Sequence, residues 1–238
     1  MVSFDHRDPG TSEVTWARDG RWAQTRELEL VTVDSAVVLA AHPDDETLGA
    51  GGLISLLHAQ GTRVILVLAS DGEASHSQDV SALRRQEWKD AVNEIAPGCT
   101  TIELGLPDGG LREHGDELRD GLRHAIRDAG LLIAPWRGDG HRDHRIAGEI
   151  AVETADEAGI AVLEYPVWMW HWAHPQHPDV PWEHLVTVPL HNEARAAKRA
   201  ALSRYRSQFE AIDGTAPIIH EGMASHFLRH FETFVTRA

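Results

Sequence analysis

Five consecutive apolar residues, Val37-Val38-Leu39-Ala40-Ala41, predict a short strand buried on both faces. The acidic segment after them leads into a predicted helix from about Thr47 to Gln60, and Arg63 to Ala69 predicts the next strand. Between Ser81 and Ile95, residues Trp88, Ala91, Val92 and Ile95 recur at i, i+3, i+4 and i+7, the spacing of one buried helical face. Cys99 to Leu104 predicts a strand, and Leu118, Leu122, Ala125, Ile126 and Ala129 repeat the helical stripe. Leu131 to Ala134 is another short strand. Ile146, Ile150, Ala151, Thr154 and Ala158 mark a further helix, and Ile160 to Leu163 a strand that ends near Glu164-Tyr165-Pro166. This alternation predicts an α/β fold: a Rossmann-like, mostly parallel sheet with helices on both faces.

Beyond Pro166 the pattern changes. Trp168, Trp170, Trp172 and Trp182 are interleaved with His171, His174, His177 and several prolines, which predicts a long excursion. Leu185 to Leu190 reads as a strand, Asn192 to Tyr205 as a helix, and Phe227, Phe231 and Phe234 as an apolar helical stripe. Residues 1–30 show no clear period. Without internal repeats or a linker, 1–238 reads as a single domain whose core spans about 35–170.

Composition narrows the partners. The chain has 238 residues, 42% of them hydrophobic, enough for one sizeable core. Its 37 acidic against 22 basic residues give a formal charge of -15, which opposes binding to nucleic acid or an anionic membrane. Most of its 16 histidines should titrate near pH 6 to 7, so surface charge should respond to mild acid. Cys99 is the only cysteine, which excludes an intramolecular disulfide and a cysteine-based zinc cluster. The start lacks the apolar core of a signal peptide and no apolar run spans a bilayer, so a soluble cytoplasmic protein without membrane insertion is expected. Oligomeric state is not legible in the pattern.

The chemistry is concentrated in two loops, each at the carboxyl end of a predicted strand, where ligands bind in such sheets. The first is His42-Pro43-Asp44-Asp45-Glu46 and the second Gly140-His141-Arg142-Asp143-His144. Two imidazoles and a carboxylate form a borderline-soft N/O set that suits Zn2+ and leaves a position open for water, with Mn2+ or Fe2+ as alternatives. Each residue also has a plainer role, since Asp45 or Glu46 suits the cap of the helix beginning near Thr47. Gly49, Gly51 and Gly52, with Asp71 ending the next strand, also resemble a dinucleotide site. The full Gly-x-Gly-x-x-Gly spacing is absent, however, and three carboxylates stand where a pyrophosphate needs backbone donors.

At these residues the chain resembles the LmbE-like, or PIG-L, family of zinc-dependent N-deacetylases. Ala41-His42-Pro43-Asp44-Asp45-Glu46 is similar to its first signature and Gly140-His141-Arg142-Asp143-His144 to its second, with Arg142 where many members have proline. Leu106-Pro107-Asp108-Gly109-Gly110-Leu111 and Ser70-Asp71-Gly72-Glu73 resemble two further family segments. The resemblance implies His42, Asp45 and His144 as metal ligands and Asp44 as general base. It implies His141 as an imidazolium acting on the oxyanion or leaving amine, with Asp143 and Asp108 orienting the imidazoles. Asp143 and Asp108 also have a plainer reading as solvated caps. Asp139 stands where some members have an oxyanion-binding tyrosine, leaving the second oxyanion donor unassigned.

The implied reaction is removal of an N-acetyl or other N-acyl group from an N-acetylglucosamine-type conjugate by metal-activated water, releasing acetate and a free amine. Arg84 resembles a family arginine that reaches substrate, though it also suits a solvated helix face. Trp168 and Trp170, with Trp172 beside them, offer a stacking surface for substrate or ordinary packing. The acidic balance argues against a strongly anionic substrate unless Arg84, Arg112 or Arg137 compensates. The region 171–238 is expected to shape substrate choice. A noncatalytic metal- or carbohydrate-binding protein and a nucleotide-binding oxidoreductase are the rival readings.

Overall fold

A computed structural model describes residues 4–30, 32–76, 79–212, 214 and 216–236. Its elements in chain order are α1 (Glu13–Ala17), β1 (Arg26–Glu27), β2 (Ser35–Ala40), α2 (Asp45–Ala59), β3 (Arg63–Ser70), α3 (Ser81–Ile95), β4 (Thr100–Leu106), α4 (Gly115–Ala125) and β5 (Leu131–Pro135). They continue with α5 (Arg142–Ala158), β6 (Ala161–Tyr165), α6 (Met169–Trp172), β7 (Leu185–Pro189), α7 (Asn192–Leu202), α8 (Arg206–Phe209), α9 (Glu221–Ser225) and β8 (Phe231–Val235). The strands form one sheet in the order β1-β7-β8-β6-β5-β2-β3-β4, with β8 antiparallel to β6 and β7 and the other pairs parallel.

Alternation along β2 divides the core. Ala36, Val38 and Ala40 face a layer formed by α2, α3 and α7, while Val37, Leu39 and Ala41 face α4 and α5. All six are fully buried, because the sheet is covered on both sides. From β2 the chain moves outward through β3 to β4, then returns to lay β5 against the other edge of β2, with Val38 opposite Ile133. The order therefore reverses between β2 and β5. The crevice beyond their carboxyl ends is the place where such sheets bind ligands, and it is flanked by both ligand-rich loops.

Two expectations need correction, and one segment without a periodic signal gains structure. The aromatic stripe at Phe231 and Phe234 is a strand: β8 fills the gap between β6 and β7, and Glu232 accepts the backbone amides of Gly52 and Leu53 at 2.7 and 2.8 Å. A spacing of three serves either geometry, and the β-branched Thr233 and Val235 favour the strand. Residues 13–27, which show no period, carry two short helical turns and β1, anchored by the fully buried Trp16. The helix expected to run to Tyr205 ends at Leu202, and Tyr205 instead donates to Glu46 at 2.7 Å. Among the described residues no helix is long and apolar enough to cross a membrane.

Candidate metal centre

The end of β2 delivers His42 and Asp44 into the crevice, and α2 begins at Asp45. Asp44 has φ 122° and ψ -29°, the only positive φ outside glycine among the described residues. Such a conformation stores roughly 1–3 kcal/mol of strain. Here it turns two adjacent carboxylates in different directions. Asp45 accepts the His42 backbone amide through Oδ2 at 2.8 Å, while its Oδ1 stands 3.0 Å from His144 Nε2. Asp44 makes no capping bond to the helix and instead lies 3.4 Å from Nη2 of Arg84.

The second loop supplies the other imidazoles. His141 is the N-cap of α5; its Nδ1 accepts the Asp143 amide at 3.3 Å, which leaves the proton on Nε2. His144 lies in the first turn, fully buried, and its Nδ1 is 2.7 Å from Asp139 Oδ2. The ring centroids of His42, His141 and His144 are 4.6 to 5.5 Å apart.

The donor set fits a divalent cation. Nε2 of His144 is buried without a hydrogen-bond partner, although Asp45 Oδ1 lies 3.0 Å away, and His42 presents Nδ1 to Asp45 Oδ2 at 3.4 Å while its Nε2 faces Asp108 at 3.1 Å. Orphaned donors of this kind cost about 1–3 kcal/mol each. Two ligands about 2.1 Å from one ion and about 90–110° apart are themselves separated by roughly 3.0–3.4 Å. The Asp45–His144 contact has this separation without the alignment of a hydrogen bond. One ligand atom each from His42, His141 and His144 also falls within 4.8 Å of the others, as does a second group of His42, Asp108 and Asp143.

Asp108 and Asp143 are not solvated caps. Asp108 accepts the Ala74 amide at 3.0 Å and its other oxygen approaches His42 Nε2 at 3.1 Å. Asp143, fully buried, accepts the Gly109 amide at 2.7 Å and lies 3.5 Å from the same imidazole nitrogen. Arg84 is not on a solvated face either: it is 3% exposed and donates to the carbonyls of Gly72 and Pro43, both at 2.8 Å. Gly72, at φ +66°, lies where a Cβ would overlap that guanidinium.

Charge and burial compete strongly here. Burial opposes a proton on His42, but Asp108, Asp143 and Asp45 outweigh it and raise its pKa well above normal. Burial likewise opposes charge on His144, yet Asp45 and Asp139 push its pKa up to about 9. Burial raises Asp45, but the His144 charge overrides it and holds the carboxyl well below the usual range. Asp44 rises to about 8, chiefly through burial, with Arg84 opposing and Asp45 and Glu46 adding. His141 falls to about 3 through burial and the positive charge of His144 and His42, both of which oppose the imidazolium form. Asp108 is brought down to about 2, as His42 outweighs the cost of burial.

His42, Asp44, Asp45, Arg84, Asp108 and His141 line a cavity of about 570 Å³ whose other walls come from distant parts of the chain. Trp168 lines it, but Trp170 does not: its ring packs edge-on against Trp16 at 5.0 Å and beneath the Arg229 guanidinium. Trp172 is also committed to structure, donating to the Asp139 carbonyl at 2.7 Å. Arg137 pairs with Glu164 at 3.1 Å, and neither it nor Arg112 lines the cavity, whereas Arg142 does. The helical glycines answer to packing, since a Cβ on Gly49 would strike the Tyr165 ring and one on Gly52 the Leu190 side chain. The dinucleotide reading thus loses its main motif. Sequence reasoning missed Asp139 as a partner of His144, and missed the wall residues Phe4, Ile218 and Ile219.

Comparison with known proteins gives the family and the fold. The family described as PIG-L, GlcNAc-PI de-N-acetylase, matches residues 37–155. Diacetylchitobiose deacetylase of Thermococcus kodakarensis is 32% identical over 137 residues, covering 54% of this chain and 51% of that protein. A probable N-acetyl-alpha-D-glucosaminyl L-malate deacetylase of Bacillus subtilis is 30% identical over 132 residues, 50% of this chain and 59% of that protein. The chain thus matches only about half the length of these curated relatives. The solved structure of N,N'-diacetylchitobiose deacetylase from Pyrococcus horikoshii has the same fold, with a TM-score of 0.58, 22% identity, and coverage of 75% of this chain and 72% of that one.

Proposed function

The chain belongs to the PIG-L family, and from that premise we propose that it is a metal-dependent N-deacetylase acting on a small N-acetylated amino-sugar conjugate. His42, Asp45 and His144 hold the metal, which we take to be zinc from the two-imidazole, one-carboxylate donor set. When bound, such an ion supplies Lewis acidity and lowers the pKa of water towards about 7.

The chain's own residues perform the proton transfers. Asp44, turned away from the ligand set by its backbone, takes a proton from the water that adds to the acetamide carbon, and then gives it to the amine nitrogen as the C–N bond breaks. Acetate and a primary amine leave, and no covalent enzyme intermediate forms. Arg84, 3.4 Å from Asp44, keeps the carboxylate in place and opposes the effect of burial on its pKa. His141 donates a hydrogen bond from Nε2–H to the developing oxyanion as a neutral imidazole. Asp108 and Asp143 hold the His42 ring, and Asp139 holds the His144 ring, in the manner of carboxylates behind metal-bound imidazoles.

The observation that carries this reading is the 3.0 Å approach of Asp45 Oδ1 to a buried, unpartnered His144 Nε2, with a second carboxylate beside it that caps nothing. Acetate release from N-acetylglucosamine conjugates tests it, using zinc-loaded wild type and Asp44→Asn with metal content determined on both. Turnover by wild type alone at equal occupancy supports it. Equal turnover overturns the assignment of Asp44, and bound zinc without acetate from any conjugate leaves a binding role.

A further inference from the structure

The cavity is two-faced. Besides His42, Asp44, Asp45 and Asp108, its lining includes an apolar wall formed by Phe4, Val167, Trp168, Ile218 and Ile219. Phe4 and Trp168 lie with ring centroids 5.1 Å apart and planes tilted by 31°, making a continuous aromatic surface from segments more than 160 residues apart in sequence. The Ile219 amide donates to the Gln208 carbonyl at 2.9 Å, which holds that segment in place. Phe4 and Ile218 are only half-buried, leaving apolar surface for a ligand to cover.

The cations that line the cavity are already committed. Arg84 is spent on two carbonyls and Asp44, and Arg142, at the exposed rim, pairs with Glu113 at 2.6 Å. His6 has its pKa lowered, chiefly by burial, and is neutral at pH 7. A carboxylate or phosphate on the substrate would therefore enter a cavity lined by Asp44, Asp45 and Asp108, in which both arginines are already paired. An apolar group would gain by covering Phe4 and Ile218.

Resting on the deacetylase reading, we propose that this wall is a specificity subsite for an uncharged aryl or alkyl substituent of the amino-sugar substrate, and that it selects against substrates carrying an anionic substituent. Phe4 and Ile218 are its accessible determinants. The substituent is carried either by the aglycone or by the N-acyl chain, and the chemistry of the wall is the same for both.

Calorimetric binding to the zinc-loaded protein provides a test that does not depend on turnover. The ligands are the methyl, phenyl and carboxymethyl β-glycosides of glucosamine, which lack an acyl group to hydrolyse, with Phe4→Ala and Ile218→Ala as variants. The phenyl glycoside should bind about tenfold tighter than the methyl, the affinity step expected for burying one aromatic ring on another. The carboxymethyl glycoside should bind weakest, and the phenyl-to-methyl ratio should fall towards one in Phe4→Ala. In a parallel arm, kcat/KM is compared for N-acetyl and N-hexanoyl methyl glucosaminides; a gain with the longer acyl chain that is lost in Ile218→Ala, with no phenyl preference, assigns the wall to the acyl side. Equal affinities together with equal kcat/KM values, tightest binding of the carboxymethyl glycoside, or no measurable binding and no acyl preference overturns the proposal. A phenyl preference without release of acetate from any acylated substrate upholds the subsite and refutes the deacetylase reading.

Discussion

His144 Nδ1 and Asp139 Oδ2 are 2.7 Å apart, both side chains are fully buried, and the same carboxylate accepts the backbone amides of Val167, Trp168 and Met169, each at 2.9 Å. Asp139 therefore ties the loop after β5 to the segment after β6 and fixes the ring whose far nitrogen faces Asp45. An asparagine has one acceptor oxygen for these four donors, and its amide must oppose at least one of them. We predict that Asp139→Asn lowers metal affinity by about 10–100-fold, the usual cost of losing a carboxylate behind a metal-bound imidazole. It should also cost ~2–5 kcal/mol of stability through unsatisfied amides. Chelator competition well below Tm reads the first effect and denaturant unfolding the second. Unchanged affinity in a destabilised protein would limit Asp139 to a structural role.

Asp44 sets function against stability. Its side chain is buried and its φ of 122° is one that glycine adopts readily. Asp44→Gly should raise the stability of the metal-free protein by about 1–3 kcal/mol, by releasing the strain and the burial of a carboxyl group. The same change should reduce turnover by roughly 10²–10⁴-fold, the contribution of a positioned general base. Thermal melts and acetate release on the same preparations check both signs.

Metal binding should depend steeply on pH. In the metal-free protein, His144 has a pKa raised to about 9 and that of His42 is also raised, so both are protonated at pH 7. Ligation needs neutral imidazoles, so an incoming ion must displace these protons. Apparent affinity should therefore rise from pH 6.5 to about 9. For stability the sign is reversed: a raised imidazole pKa contributes fully below the unfolded value near 6.5 and is lost as pH climbs through about 9. The gap in Tm between metal-loaded and metal-free protein should thus widen over this interval, and calorimetry in buffers of different ionisation enthalpy should detect proton release. A gap that narrows with pH would contradict the assigned ligands.

The sheet and both loops were legible in sequence because their signals are local. β2 to β6 are short apolar runs, their helices repeat one face, and ligand-type residues cluster within five positions of each other in 42–46 and 140–144. What remained hidden depends on distant chain segments. Asp139 gains its role from amides 28 to 30 residues away, and Phe4 meets Trp168 only after folding. Trp168 and Trp170 look alike in sequence, yet one lines the cavity and the other fills the core, because a two-residue step on the short α6 turn points them in different directions. β8 was misread because a spacing of three between aromatics fits a helix, and nothing local reveals the gap between β6 and β7.

The glycines of α2 separate packing from phosphate binding as the reason for a Gly-rich turn after β2. A methyl group on Gly49 would lie 2.2 Å from Tyr165 Cδ2, and Tyr165 is held in place by its hydroxyl, which donates to the Leu39 carbonyl at 2.7 Å. Neither the ring nor β2 moves freely, so Gly49→Ala should cost about 1–3 kcal/mol through overpacking. Two residues on, a methyl on Gly51 would meet Lys198 Cγ at 3.4 Å and Thr47 Cγ2 at 3.5 Å, which is ordinary contact. Gly51→Ala should therefore stabilise the helix by up to about 1 kcal/mol. Opposite signs at two glycines half a turn apart follow from the position of one tyrosine ring, whereas a phosphate-cradling turn would tolerate neither change in ligand binding. Denaturant unfolding of the two variants, with metal affinity measured alongside, decides between them: a stabilised Gly51→Ala that binds metal like wild type would mean that these glycines serve packing, and a destabilised one would mean that α2 has a constraint beyond the Tyr165 contact.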